Sequence, residues 1–87
     1  MNTLPTVHMN GTSAKMLREG WEKLYVSLYA VQDAAKAMEF NARDYYPQGN
    51  HAWEAARDEL SEMLQSVDAV RVKVEAVLMA INEQDRK

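Results

Sequence analysis

The 87-residue sequence has no cysteine, and it holds only two prolines and three glycines. Without cysteine, neither a disulfide nor a thiolate metal site can brace the fold. No apolar run approaches the roughly 20 residues that a membrane span requires. Basic charge is scarce too: 10 Lys and Arg stand against 13 Asp and Glu, and the pI is near 5.3. Proteins that grip long nucleic acid through its phosphates carry a basic face or a pI above roughly 9, so no long DNA or RNA is expected as a partner. Met1 to Val7 have neither the basic start nor the apolar stretch of a secretory signal. The chain is therefore expected in the cytoplasm.

Chemistry is equally sparse. There is no glycine-rich phosphate loop and no Ser/His/Asp grouping at a recognised spacing. The two histidines, His8 and His51, have no third ligand at local spacing, so no metal or other cofactor is expected. Asp58, Glu59 and Glu62 read as a solvated acidic face rather than an acid/base pair. An enzyme is not expected.

What remains is periodicity. Leu17, Trp21, Leu24, Leu28, Val31, Ala35 and Met38 recur at alternating steps of four and three. Trp53, Ala56, Leu60, Met63, Val67, Val70, Val74, Val77 and Ile81 keep the same rhythm. That period is a heptad seam on a helix, and no strand produces it. Thr12 or Ser13 can cap the first helix and Asn50 the second. Pro47 interrupts the pattern and biases Tyr46 towards extended geometry, while Gly49 frees the chain to turn. The sequence predicts an all-α fold: an arm over residues 1–12, a helix over 13–39, a loop over 40–49 and a helix over 50–84. The short loop makes the helices an antiparallel αα-hairpin.

At 1.5 Å per residue the helices span roughly 39 and 52 Å. Closing the hairpin at the loop sets Met38 beside Trp53 and Leu17 beside Val74, leaving Val77, Leu78 and Ile81 beyond the start of the first helix. Either the arm, through Leu4, Val7 and Met9, or another copy must cover them. A second stripe (Tyr25, Val26, Leu64, Val72, Met79) also needs cover. Gly20 costs about 1 kcal/mol within a helix and suggests another backbone coming close. A chain this short buries only about 60% of its unfolded surface, so a homo-oligomeric helical bundle is expected.

The loop holds the most unusual chemistry. Tyr45 and Tyr46 offer flat faces for stacking a base, Arg43 can fork onto a phosphate, and Asp44 and Gln48 can make polar contacts. The free N–H groups opening the second helix, near Asn50 and His51, favour an anion. The plainer reading is that Phe40 and Tyr45 plug the bundle end while Arg43 and Asp44 pair with each other or with Lys36. In the arm, Asn10-Gly11 signals a tight turn. If Thr6 to Asn10 is extended, His8 and Asn10 point the same way and could join a ligand.

The phrase His8-Met9-Asn10-Gly11-Thr12-Ser13, followed by Asn41-Ala42-Arg43-Asp44-Tyr45-Tyr46-Pro47, resembles a family of small helical phage and prophage proteins. The likeness runs from His8 to the end of the second helix and implies work in the cytoplasm of a host cell. In size, architecture and loop chemistry the chain also resembles phage nucleotide sponges of the Thoeris anti-defence type. That likeness implies a small helical oligomer that holds a cyclic-nucleotide immune signal between protomers without cutting it. The expected ligand-binding set is Arg43, Asp44, Tyr45, Tyr46, Gln48, Asn10 and His8. The alternatives are an inhibitor that blocks a host defence complex through its acidic face, and a structural coiled-coil module.

Overall fold

A computed structural model describes residues 3–86. Two helices dominate: α1, Ala14–Ala37, and α2, Ala52–Asp85, packed antiparallel into a rod measuring 61 × 24 × 18 Å. The hairpin predicted from the heptads is present, with boundaries one or two residues away from those expected. Ser13 rather than Thr12 caps α1, its hydroxyl accepting from the Met16 N–H at 3.2 Å. Ser13→Ala is expected to destabilise the protein by about 1 kcal/mol, and Thr12→Ala by far less. Denaturant melts of the two variants check the assignment, and equal losses would contradict it. At the other end Met38 turns extended, so α1 stops two residues short of Glu39. Asn50 does not cap α2. His51 occupies the capping position, and its side chain makes no capping hydrogen bond.

The largest difference from expectation is register. Tyr25 reaches Glu75, Tyr29 reaches Arg71 and Arg18 reaches Asn82, three cross-helix pairs whose numbers each sum to 100. The expected pairs, Met38 with Trp53 and Leu17 with Val74, sum to 91. The helices are therefore slipped by nine residues, about 13 Å of helix rise. The reason lies in the connection. Residues 38–51 do not bend tightly but double back through two short 3-10 turns, Ala42–Asp44 and Tyr46–Gln48. Tyr46 thus begins a turn instead of an extended segment. The first turns of α2 overhang the end of α1, and the loop folds over them.

This slip moves the core. Val77, Leu78 and Ile81, expected to overhang, are among the six buried hydrophobic side chains of the described residues, and Ile81 is 0% exposed. Val77 and Ile81 pack with Ala14, and Val7, Leu17 and Trp21 close over them. The arm does cover this end, through Val7 but not through Leu4 or Met9, which are exposed. Gln84 clips the arm in place: its side-chain carbonyl accepts from the Val7 N–H at 2.7 Å and its amide donates to the Pro5 carbonyl at 3.0 Å.

The heptad columns divide in a way that the spacing did not predict. Trp21, Leu28 and Ala35 face inward together with half-buried Tyr25 and Gln32, but Leu24, Val31 and Met38 are exposed. Met63 and Val70 of the expected α2 seam are exposed as well, as are Val26 of α1 and Val72 and Met79 of α2 from the second stripe. No neighbouring backbone approaches Gly20, where an added Cβ would meet nothing within 4 Å.

Candidate functional site

The connection is held from below by aromatic rings. Phe40 and Tyr45 lie edge to face with centroids 5.6 Å apart, and Trp53 tilts against both at 4.9 and 5.8 Å. The Arg57 guanidinium sits 5.7 Å from the Trp53 ring centre, within cation–π range. Tyr45 is therefore engaged in the fold, as the plainer reading of the loop had it. Gly49, at φ 125° and ψ 172°, supplies a backbone conformation that a side chain would strain, and it releases the chain into α2.

Above this plug the two 3-10 turns present Arg43, Asp44, Tyr46 and Gln48, all exposed. Among the described residues Arg43 and Asp44 form no ion pair with each other or with Lys36. Tyr46 is 68% exposed and makes no ring contact. Together they offer a fork, a carboxylate, an amide and an open aromatic face on one short segment. The start of α2 is less suited to an anion than its free N–H groups suggest. Glu54 lies in the first turn and approaches His51 at 3.7 Å, so a carboxylate already serves that end.

His8 and Asn10 do not join this group within one chain. The arm packs on the last turns of α2, at the opposite end of the 61 Å rod from the loop. Nor is Thr6 to Asn10 extended throughout. Met9 and Asn10 turn, closed by the Gly11 N–H on the His8 carbonyl at 3.2 Å. Neither Asn10 nor Gly11 takes a positive φ, and a Cβ at Gly11 would lie 2.7 Å from Nε2 of the exposed His8 ring, which would have to swing aside.

Two features escaped the sequence reading. One is a shallow groove of about 550 Å³ lined by Phe40, Arg57, Leu60, Ser61, Leu64, Gln65 and Asp68. Its Phe40, Arg57 and Leu60 end lies where α2 runs on past the end of α1, which the expected register did not show. The other is a polar clasp on one flank of the hairpin. Arg71 donates to Asp68 at 2.9 Å, to Glu75 at 3.1 Å and to the Tyr29 hydroxyl at 3.4 Å. Tyr25 adds hydrogen bonds with Tyr29 and Glu75, each 3.3 Å. Arg18 extends the flank towards the arm by donating to Asn82 and Asp85. The hydrogen bond to Asp68 above all holds Arg71 more firmly protonated than usual, and the contact with Tyr29 pushes the Tyr25 phenol upward. Two carboxylates already neutralise Arg71, so the clasp ties the helices together and has little charge left for a ligand. The Tyr25/Tyr29 and Asp68/Arg71/Glu75 spacings were the available signal. Among the described residues no group of three His, Asp or Glu could hold a metal ion, and no helix is long and apolar enough to cross a membrane. Comparison with family models, curated proteins and solved structures gives no match to this chain.

Proposed function

We propose that this chain is a non-catalytic binding protein that works as a homo-oligomer and captures a nucleotide-like, phosphate-bearing signalling molecule at protomer contacts. One observation carries the reading: Arg43 stands exposed without a carboxylate partner among the described residues, on the same pair of turns that presents Tyr46, Asp44 and Gln48. A guanidinium can fork onto phosphate while the open tyrosine face stacks on a base. Tyr45 is better assigned to holding the loop. The likeness to small phage proteins and nucleotide sponges supports the same reading, and with it a host cytoplasm as the proposed place of work.

Thermal melting with cyclic dinucleotides and cyclic ADP-ribose isomers tests it. At a hundredfold excess over Kd, binding adds about 2.7 kcal/mol, a shift of roughly 10–20 °C for a domain of this size. Arg43→Ala is expected to abolish that shift and leave the ligand-free melt unchanged, because Arg43 supports no other charge. A panel that leaves the curve unmoved overturns the sponge reading.

A second reading, an inhibitor of a host complex, draws on the exposed carboxylates of Glu54, Asp58, Glu59 and Glu62 near the loop. Recognition through that face would weaken steeply with salt.

A further inference from the structure

The two flanks of the hairpin are unlike. One is closed by the clasp of Arg18, Tyr25, Tyr29, Arg71 and Glu75. The other leaves Leu24, Val31, Val70 and Met63 exposed at 44, 48, 47 and 62%. By register these are neighbours, since Val31 lies level with Val70 and Met38 with Met63. Two shallow grooves of about 300 and 250 Å³ meet on this flank at Trp21, with Gly20 open beside it. Thr3 of the arm borders the smaller groove, and beside it Leu24, Val31, Val70 and Met63 stay exposed.

We infer that this apolar flank is the self-association surface, and that a second copy docks on it with its rod reversed, so that the loop of one protomer meets the arm of the other. Area argues for a copy of this chain. A compact monomer of 9.9 kDa exposes about 5200 Å², whereas this chain exposes 6846 Å². The excess of about 1600 Å² exceeds the roughly 800 Å² that each partner buries in a stable complex. The radius of gyration agrees, at 18.8 Å against about 12 Å for a compact domain of this length. Two hairpins stacked by this flank make a four-helix bundle and cover that surface.

Charge argues for the reversed orientation. Residues 36–62, at the loop end, carry three cations and six carboxylates, while residues 3–23 with 73–86 carry five of each. Stacking with both loops at one end sets two net −3 regions against each other. Reversal sets each against a balanced one. It also brings Arg43, Asp44, Tyr46 and Gln48 level with the partner's His8 and Asn10, two groups that one chain keeps at opposite ends. The binding site proposed above is then completed only by two copies. For its ligand this inference rests on that proposal, but the assembly itself does not.

Sedimentation and light scattering of the full chain should give twice the monomer mass at concentrations up to about 100 µM. Leu24→Glu with Val31→Glu should weaken association at least tenfold without loss of helical circular dichroism, whereas Val26→Glu should leave it unchanged. Because the chain has no native cysteine, disulfides report orientation: a mixture of Leu17→Cys and Met38→Cys chains should form the mixed pair on oxidation. A monomeric native chain overturns the inference whatever the variants do. So does an assembly that survives the double glutamate change, or a Met38→Cys chain that couples chiefly to itself. A dimer that passes these tests yet binds no nucleotide keeps the interface and removes only the ligand reading.

Discussion

Ile81→Ala is expected to be the most damaging single truncation, costing about 2–5 kcal/mol, the range for removing a fully buried isoleucine side chain. Ile81 alone among the described residues has a large side chain wholly out of water. It sits where α1, α2 and the arm converge, against Ala14 and Val77 and beneath Val7, Leu17 and Trp21. Removing three carbons there leaves a void that three separate segments would have to shift to fill. A domain of this length has a total stability of only about 4–13 kcal/mol, so the variant should be partly unfolded at or near 37 °C. Met79→Ala, two residues away but facing solvent, should change stability by less than about 0.5 kcal/mol. Urea unfolding at one fixed protein concentration measures both. Equal losses would mean that the core lies elsewhere.

The second large effect belongs to the far end. Trp53→Ala removes the ring on which Phe40 and Tyr45 rest and which lies under Arg57. Aromatic pairs contribute about 0.5–1.5 kcal/mol each beyond area burial, and Trp53 is only half-buried. The expected cost is about 2–4 kcal/mol, somewhat below that of a fully buried tryptophan. The signature distinguishes it from Ile81→Ala. Near-ultraviolet dichroism and protease resistance of residues 38–51 should collapse first, while Trp53→Phe retains most of both. If Trp53→Ala melts with the native chain, the loop is held by something other than this plug.

The existence of two helices was legible because apolar residues spaced by three and four can face one partner only from a helix. The break between them was equally legible in Pro47 and Gly49, and the cap in the Thr12-Ser13 pair. Register was not. A heptad pattern nearly repeats itself every three or four residues, so a hairpin can slide along its seam and still set apolar against apolar. What fixes the position is a set of distant side-chain matches, Arg18 with Asn82 and Asp85 and Arg71 with Tyr29, together with the doubled-back loop. Periodicity carries none of that information. The candidate site shared this fate. Arg43, Asp44, Tyr46 and Gln48 were legible as a cluster because they are consecutive or nearly so. The separation of His8 and Asn10 from them was legible as well, because α1 stands between arm and loop whatever the register, whereas the groove beside Leu60 and Leu64 was hidden with it.

The arrangement of this core has a bearing on how the protein comes into being on the ribosome. Local closure at the turn can gather the aromatic rings early, but it buries no aliphatic centre. Val77, Leu78 and Ile81 must be translated and clear of the exit tunnel before Val7 and Leu17, made more than fifty residues earlier, have anything to close upon. Until then the nascent polypeptide is a pair of uncommitted amphipathic segments, and the core closes only once these distant turns of α2 are free to meet the arm and α1.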